Sequence, residues 1–105
     1  MNLQAFWRAV LAQDAEAIRP FFAADAAIRW HCTNELFTVD EFLRANCEYP
    51  GRWDGETERV CEAPGQAVTV TRVFSTQEPL SFHAVSFFTF QSGLIQTLDE
   101  YWGDD

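Results

Sequence analysis

The chain has 105 residues and a formal net charge of −9, with seven arginines and no lysine. A surface of this charge repels phosphate groups, which excludes nucleic acid and anionic membrane surfaces as expected partners. Hydrophobic residues make up 48% of the chain, a content that predicts a packed core. At this length we expect a single domain spanning residues 1–105.

The cysteines are Cys32, Cys47 and Cys61, and none belongs to a Cys-x-x-Cys or Cys/His cluster. A zinc or redox site would need such spacing, so we expect no metal site. An odd number of free thiols is typical of a reducing compartment. We also see no signal-peptide core and no apolar run near the ~20 residues of a membrane span. Together these features predict a cytoplasmic protein.

Two helices are predicted at the start of the chain. Apolar residues between positions 3 and 12 recur at the spacing of one helix face, and Asn2 is the expected N-cap. Asp14 is the expected N-cap of a short second helix. Pro20 should end or distort that helix, so we expect irregular backbone near Phe21.

A strand and a third helix are predicted next. Residues 26–32 are β-branched and aromatic, as in a strand, and Trp30 shares a face with Ile28. The stretch NELF that begins at Asn34 is predicted to be a turn. Thr38 and Glu41 then form a capping box that opens the third helix.

The second half of the chain predicts four antiparallel strands. Residues 56–62 and 67–75 are the first two, joined by a turn at Pro64 and Gly65. Residues 80–105 form a long hairpin around a turn with Gly93. The element order predicts an α+β domain with its helices on one face of a curved sheet.

The first strand of the hairpin is apolar on both faces. Ala84 and Phe88 share one parity, and Val85 and Phe87 share the other. A strand with only one buried face should alternate between apolar and polar residues. We therefore expect a core on one side and a partner subunit on the other.

Three segments carry a family signal: FFAADAAIRWH, FTVDEFLRAN and FQSGLIQTLDEYWGD. They resemble the helix-to-strand junction, the third helix and the terminal hairpin of the NTF2-like superfamily, which includes ketosteroid isomerases and SnoaL-like polyketide cyclases. The resemblance implies a cone, in which a strongly curved sheet wraps a pocket and helices close its wide end. It also implies a homodimer formed through the outer face of the sheet.

The resemblance does not extend to the residues of steroid isomerisation. Trp30 stands where ketosteroid isomerases have their general-base aspartate, and Ser86 and Phe6 stand where they have the aspartate and tyrosine of the oxyanion hole. An indole or a phenyl ring cannot abstract a proton, and a serine hydroxyl is a weak substitute for a carboxylic acid. We therefore expect no steroid isomerase activity.

The resemblance divides the last strand between two faces: Leu98, Glu100 and Trp102 toward the pocket, Asp99 and Tyr101 outward. A partner surface would then consist of Val85, Phe87 and Tyr101. Between Trp30 and Trp102, Glu100 would be desolvated, which raises the pKa of a carboxyl group and makes Glu100 the candidate catalytic acid or base. The alternative is an ion pair of Glu100 with Arg72 or Arg29.

The remaining candidate ligand-binding residues lie at the end of the third helix and on the faces of the strands. The full set is Trp30, Asn46, Tyr49, Trp53, Ser86, Leu98 and Trp102. The resemblance puts Asn46 near a pocket tyrosine of the isomerases, which implies that it hydrogen-bonds a ligand carbonyl; its alternative role is a helix cap. A cavity lined by Trp30, Trp53 and Trp102 would suit a flat or apolar ligand. For Trp7 we expect a place in the core.

The two histidines, His31 and His83, have the parity opposite to Trp30 and Ser86. We expect them on the outer face as hydrogen-bonded side chains; the alternative is that one of them supplies an acid or base near neutral pH at the rim of the sheet. Two separated histidines without a local carboxylate pattern do not make a metal site. The chain also lacks a Gly-rich phosphate loop, so we expect no nucleotide cofactor.

Three functions remain open on the sequence. The first is a module that binds a small apolar or aromatic ligand in the cone without chemistry. The second is a cofactor-independent isomerase, lyase or cyclase that uses Glu100, helped by Asn46 or Ser86. The third is a dimeric interaction protein whose pocket is filled by its own side chains. An open cavity lined by tryptophan and phenylalanine favours the first.

Overall fold

The computed structural model describes residues 1–105. Its helical part consists of α1 (Leu3–Leu11), α2 (Ala15–Ile18), a 3₁₀ turn (Arg19–Phe21) and α3 (Val39–Cys47). The strands are β1 (Phe22–Trp30), β2 (Glu35–Phe37), β3 (Trp53–Ala63), β4 (Gln66–Ser75), β5 (Ser81–Gln91) and β6 (Leu94–Asp104). None of the helices has the length and apolarity that a membrane crossing requires.

The six strands form one mixed sheet in the order β2-β1-β6-β5-β4-β3. The strands β3 to β6 are an antiparallel meander, as the sequence predicted. β1 pairs with β6 in parallel and with β2 in antiparallel orientation. The α+β architecture with three helices in the first half of the chain is thus confirmed.

The predicted N-caps of the three helices are confirmed. They could be predicted because each cap is a hydrogen bond between residues close together in the chain. Oδ1 of Asn2 accepts a hydrogen bond from the backbone of α1 at 2.9 Å, and Oδ1 of Asp14 accepts one from α2 at 3.2 Å. Thr38 and Glu41 make both hydrogen bonds of the capping box of α3. Pro20 lies in the 3₁₀ turn, the irregularity that it was expected to cause.

Two predicted boundaries in the first half are wrong. The stretch NELF is not only a turn: Asn34 has the positive φ of a turn residue (57°), but Glu35–Phe37 is strand β2. A three-residue edge strand is too short for a periodic pattern and forms because β1 offers it a backbone ladder. Strand β1 begins at Phe22 and not at residue 26. The earlier start was missed because the alanines in this segment have a low strand propensity.

The start of β3 is also earlier than predicted, at Trp53 rather than at residue 56. Gly55 lies in this extra segment and comes very close to β4. A Cβ atom at Gly55 would lie 2.3 Å from the backbone oxygen of Arg72. Any larger residue here would push the two strands apart, which explains a glycine inside a strand.

One hydrophobic core of 17 buried residues lies between the helices and the inner face of the sheet. The ring of Phe6 is fully buried and meets the rings of Phe22 and Phe88 edge to face, at centroid distances of 5.7 and 5.6 Å. Trp7 is buried as expected, and its Nε1 donates a hydrogen bond of 3.1 Å to Oγ1 of Thr69 on β4. These contacts hold α1 against the sheet.

Candidate ligand-binding site

A cavity of about 330 Å³ opens at the end of the sheet where β1 and β6 finish and β3 and β5 begin. The C-terminal parts of α1 and α3 cover it from the other side. Its lining is mainly apolar, with ten hydrophobic residues among 14. The lining residues are Val10, Leu11, Gln13, Trp30, Cys32, Thr33, Ala45, Asn46, Tyr49, Trp53, Val73, Phe82, Trp102 and Asp104.

Aromatic side chains form two walls of the cavity. On one side Trp53 lies between Tyr49 and Phe82, with ring centroids 5.9 Å apart in each pair. On the other side are the indoles of Trp30 and Trp102, which come from the ends of the parallel strands β1 and β6. A cavity bounded in this way can enclose a flat or apolar molecule.

Behind the second wall lies the carboxyl group of Glu100, whose residue is only 3% exposed. Nε1 of Trp30 donates a hydrogen bond of 3.1 Å to Oε1, and Oγ of Ser86 donates one of 2.6 Å to Oε2. The expected contact between Glu100 and Trp30 is therefore confirmed. The alternative ion pair with Arg72 or Arg29 is wrong, since neither arginine contacts Glu100.

Burial raises the pKa of Glu100 above its ordinary value, because the apolar surroundings disfavour the charged form. The hydrogen bonds from Ser86 and Trp30 act in the opposite direction but do not cancel this effect. Nε1 of Trp102 is buried and has no hydrogen bond of good geometry, although its N–H also acts to lower the pKa of Glu100. Glu100 is thus a buried acid that has donors around it and no cation.

The rim between α1 and α3 is held by two amide side chains. Nδ2 of Asn46 donates to the backbone oxygen of Val10 at 3.1 Å, so Asn46 caps the end of α1 rather than its own helix. Nε2 of Gln13 donates to the backbone oxygens of Asn46 (2.9 Å) and Tyr49 (2.7 Å). These three hydrogen bonds fix the helix ends that cover the cavity.

Gln13 is a functional residue that the sequence reasoning missed. It follows the end of α1 with φ at 55°, in the left-handed conformation that usually selects glycine. The sequence offered no signal for this role, because the left-handed φ of Gln13 is seen only in the structure, and so is the reason that a glutamine is tolerated there. The reason is its pair of hydrogen bonds across to α3.

The structure brings together five of the predicted ligand-binding residues and separates two. The five on the lining are Trp30, Asn46, Tyr49, Trp53 and Trp102. Ser86 and Leu98 are completely buried and do not line the cavity. Their parity was read correctly, but they lie farther along β5 and β6 from the open end of the sheet than Phe82 and Trp102 do.

Further lining residues were not predicted. Phe82 and Val73 come from strand segments near the rim, Cys32 and Thr33 follow β1, and Asp104 closes β6. The alternation of side chains along a strand shows which face of the sheet a residue lies on. It cannot show how far the cavity extends, because the core and the cavity both lie on the inner face. The pairing of β5 with β6, which sets Phe82 opposite Asp104, provides that information.

Both histidines lie away from the cavity and are hydrogen-bonded, as expected. Nε2 of His31 lies 2.7 Å from Oδ1 of Asp99, and its ring stacks on Tyr101 with centroids 4.4 Å apart. The ring nitrogens of His83 contact Asp105 at 2.5 Å and Glu58 at 2.9 Å. No group of three or more metal-ligating side chains is placed to hold a metal ion.

The matching of family models decides the family of this chain. A model described as the SnoaL-like domain matches residues 3–98, which is most of the sequence. The chain belongs to the SnoaL-like family. No curated protein matches its sequence.

Solved structures show that this SnoaL-like protein has the NTF2-like fold. An NTF2-like protein of unknown function from Burkholderia xenovorans superposes with a TM-score of 0.86 at 20% identity, covering 98% of this chain and 80% of that one. A presumed ketosteroid isomerase from Kribbella flavida gives the same TM-score and identity over 98% and 76% of the two chains. An LEH-like epoxide hydrolase from M. tuberculosis gives 0.78 at 12% identity, over 96% and 79%.

These superpositions confirm the resemblance stated from the sequence. At such identities they establish the fold of the SnoaL-like protein and leave its activity to be argued from its own residues.

Proposed function

We propose that this protein binds a small apolar or aromatic molecule in the cavity at the open end of the sheet and does not transform it. The observation that carries the proposal is the composition of the walls. Trp53, Tyr49 and Phe82 form one wall and two further indoles form the other. Burial of a ligand against this surface supplies affinity in proportion to the apolar area removed from water.

The polar side chains around the cavity support binding rather than catalysis. The amide groups of Gln13 and Asn46 donate their hydrogen bonds to backbone oxygens, and Nε1 of Trp53 donates to the backbone oxygen of Pro50 at 3.2 Å. A general acid or base must lie within hydrogen-bond reach of the reacting proton. Glu100 is buried and does not line the cavity, although the indole of Trp30 that donates to it does.

The second candidate is a cofactor-independent isomerase, lyase or cyclase in which Glu100 acts as the acid or base. One observation favours it: the pKa of Glu100 is raised by burial and no cation offsets this. An acid whose pKa is raised holds its proton to a higher pH and can donate it to a ligand carbonyl. Reaction would require the indole of Trp102 to swing aside so that the carboxyl group reaches the cavity.

A thermal-shift screen against small aromatic and aliphatic compounds tests the first proposal. Ala45 is a small lining residue on α3, so Ala45→Phe fills part of the cavity. Ala63→Phe makes the same change at the exposed end of β3 and is the matched control. We expect ligands that stabilise the wild type and the control but not Ala45→Phe.

The outcome that contradicts the binding proposal is a screen in which no compound raises the melting temperature of the wild type. Turnover separates the second candidate from the first. A compound that binds and is converted by the wild type, but is only bound by Glu100→Gln, would establish acid–base chemistry.

The cavity is open, whereas a pocket filled by its own side chains was the feature expected of a pure interaction protein. Homodimer formation is nevertheless our proposal for the outer sheet face. Phe87 is 45% exposed and Tyr101 is 43% exposed, and their rings meet edge to face at 6.0 Å beside Val85. A second copy suits this strip because like-charged chains associate best through an apolar surface, and Asp99 beside Phe87 is paired with His31.

We also propose that the protein works in the cytoplasm. All three cysteines are free, and Cys32 and Cys61 are exposed. Exposed free thiols persist in a reducing compartment and are readily oxidised outside it. Localisation of the tagged chain in its own cell by fractionation tests this assignment.

A further inference from the structure

The cavity offers hydrogen-bond acceptors and aromatic faces but few donors. Both donors of the Gln13 amide are used by backbone oxygens, and Nδ2 of Asn46 is held by the oxygen of Val10. Nε1 of Trp53 and Nε1 of Trp30 also donate within the protein. The carbonyl oxygens of the two amides accept no hydrogen bond from the protein.

The lining of the cavity carries charge of one sign only. Asp104 is the only charged residue on the lining, and no arginine or histidine reaches it. Asp104 is exposed at the end of β6 and lies opposite Phe82 on β5. The whole chain carries a net charge of −9, so the field at the cavity mouth attracts cations and repels anions.

From these two features we infer that the ligand of this cavity is a small organic cation, a substituted ammonium group carrying an apolar or aryl body. The inference rests on the proposed binding function and narrows it to one chemical class. Ammonium groups are attracted to the faces of tryptophan, tyrosine and phenylalanine by the ring quadrupole. The wall of Tyr49, Trp53 and Phe82 provides three such faces next to the carboxylate of Asp104.

Neutral and anionic ligands are poorer matches for the same reason. An anion needs N–H donors or a cation. The side-chain N–H groups of the lining amides and of Trp30 and Trp53 are bound within the protein, and that of Trp102 is buried. A neutral apolar ligand gains from burial but not from the carboxylate or from the quadrupoles. An organic cation is stabilised in this cavity by the burial of its apolar body, by the carboxylate of Asp104 and by the ring quadrupoles.

The test uses two probes of the same shape, phenyltrimethylammonium and its uncharged isostere tert-butylbenzene. Binding is followed by quenching of tryptophan fluorescence, since three of the four tryptophans line the cavity. We expect the cation to bind about tenfold more tightly at low salt, as cation–π attraction and the carboxylate act together. Raising the ionic strength should reduce this preference.

Two variants show which residues are responsible. Asp104→Asn should weaken binding of the cation about fivefold and leave binding of tert-butylbenzene unchanged. Glu62→Gln removes the same charge at the far end of β3 and is the matched control, with no expected effect on either probe. Trp53→Leu should cost the cation more affinity than the isostere, because leucine keeps apolar contact but has no quadrupole.

The results that overturn the inference differ from those that overturn the binding proposal. Equal affinities for the two probes, or tighter binding of tert-butylbenzene, would refute the cation inference while supporting an apolar site. Loss of cation binding in Glu62→Gln to the same extent as in Asp104→Asn would assign the preference to net charge and also refute it. Failure of both probes to bind would contradict the site itself.

Discussion

Nε1 of Trp30 donates a hydrogen bond of 3.1 Å to Oε1 of Glu100, and this contact joins two residues 70 positions apart in the chain. The two residues face each other because β1 and β6 are parallel neighbours with Trp30 and Glu100 in register. The buried carboxyl group thereby holds one indole of the cavity wall in place. The wall and the acid are consequently parts of one structure, and a change in either should alter the other.

Replacing Glu100 by glutamine should change the dependence of stability on pH. Because burial raises the pKa of Glu100 in the folded state, the native protein keeps a proton that the unfolded chain has already released. The contribution of this proton to stability is complete below the unfolded pKa, near 4.5, and is lost as pH rises through the folded pKa. Glutamine does not ionise, so Glu100→Gln should become progressively more stable than the wild type as pH rises.

Urea unfolding at a series of pH values measures this difference. Each unit by which the pKa is raised corresponds to about 1.4 kcal/mol in the free energy of unfolding at high pH. Glu62→Gln, a change at an exposed position, is the control. Parallel stability curves for the wild type and Glu100→Gln would contradict a raised pKa.

The imidazole of His83 should titrate above 6.5. A hydrogen bond to Asp105 is the main cause of its raised pKa, and Glu58 adds to it on the other ring nitrogen. These contacts stabilise the fold fully below the unfolded pKa of His83, and the stabilisation is lost as pH rises through the folded pKa. The pKa of Asp105 is lowered by Ser81 and His83, so its contribution is lost as pH falls.

An NMR titration of the His83 ring tests this cluster. Asp105→Asn and Glu58→Gln should each bring the midpoint down, with the larger effect from Asp105→Asn. Asp54→Asn removes a carboxylate that hydrogen-bonds only its neighbour Gly55 and should leave the midpoint unchanged. A midpoint that none of the three variants moves would show that the contacts of His83 are absent in solution.

Removing the hydrogen bond between Trp7 and Thr69 should destabilise the core. Thr69→Val leaves the buried indole N–H of Trp7 without an acceptor, which costs about 1–3 kcal/mol. Trp7→Phe also leaves a cavity and should cost more. In a double-mutant cycle followed by urea unfolding, we expect a coupling energy of about 1 kcal/mol.

Thr89→Val is the control for this cycle, because Thr89 pairs with Thr97 on the exposed face of the hairpin. Its effect should stay within about 0.5 kcal/mol. A Thr69→Val variant as stable as Thr89→Val would mean that the contact with Trp7 contributes nothing.

The backbone conformation of Gln13 destabilises the fold, whereas the hydrogen bonds of its side chain stabilise it. Gln13→Ala removes both hydrogen bonds to α3 and keeps a non-glycine residue at a φ of 55°. Gln13→Gly removes the same hydrogen bonds but relieves the backbone, which is worth about 1 kcal/mol. Thermal unfolding should therefore rank the wild type first, glycine second and alanine third, and both variants should weaken ligand binding. A glycine variant more stable than the wild type would show that the side-chain contacts are weaker than the strain.

A charge placed on the outer sheet face should prevent the proposed dimer. Phe87→Glu puts a carboxylate in the middle of the exposed apolar strip, where burial without a partner is costly. We expect the dimer dissociation constant to rise by about a hundredfold, measured by analytical ultracentrifugation. Leu36→Glu, at an exposed position on β2, is the control and should dimerise normally. A wild type that is monomeric throughout the micromolar range would end the dimer proposal.

Local interactions explain what the sequence by itself determined. The caps at Asn2, Asp14 and Thr38 each bind a backbone group three residues away, so their meaning is contained in a few adjacent letters. The hairpin turn at Ser92 and Gly93 is equally local, and alternation along the last two strands correctly separated Glu100 from Tyr101. These signals were sufficient for the order of the helices and of every strand except β2 and for the α+β class, and the family resemblance added the face on which the site lies.

The tertiary structure alone decided where that face is core and where it is cavity. Ser86 and Leu98 share a face with Trp102, yet only Trp102 reaches the open space, because the cavity occupies just one end of the sheet. The partners of Glu100 and Gln13 depend on the parallel pairing of β1 with β6 and on the approach of α3 to α1. Contacts between segments so distant in the chain leave no periodic trace in the sequence, since they arise only when the whole core packs.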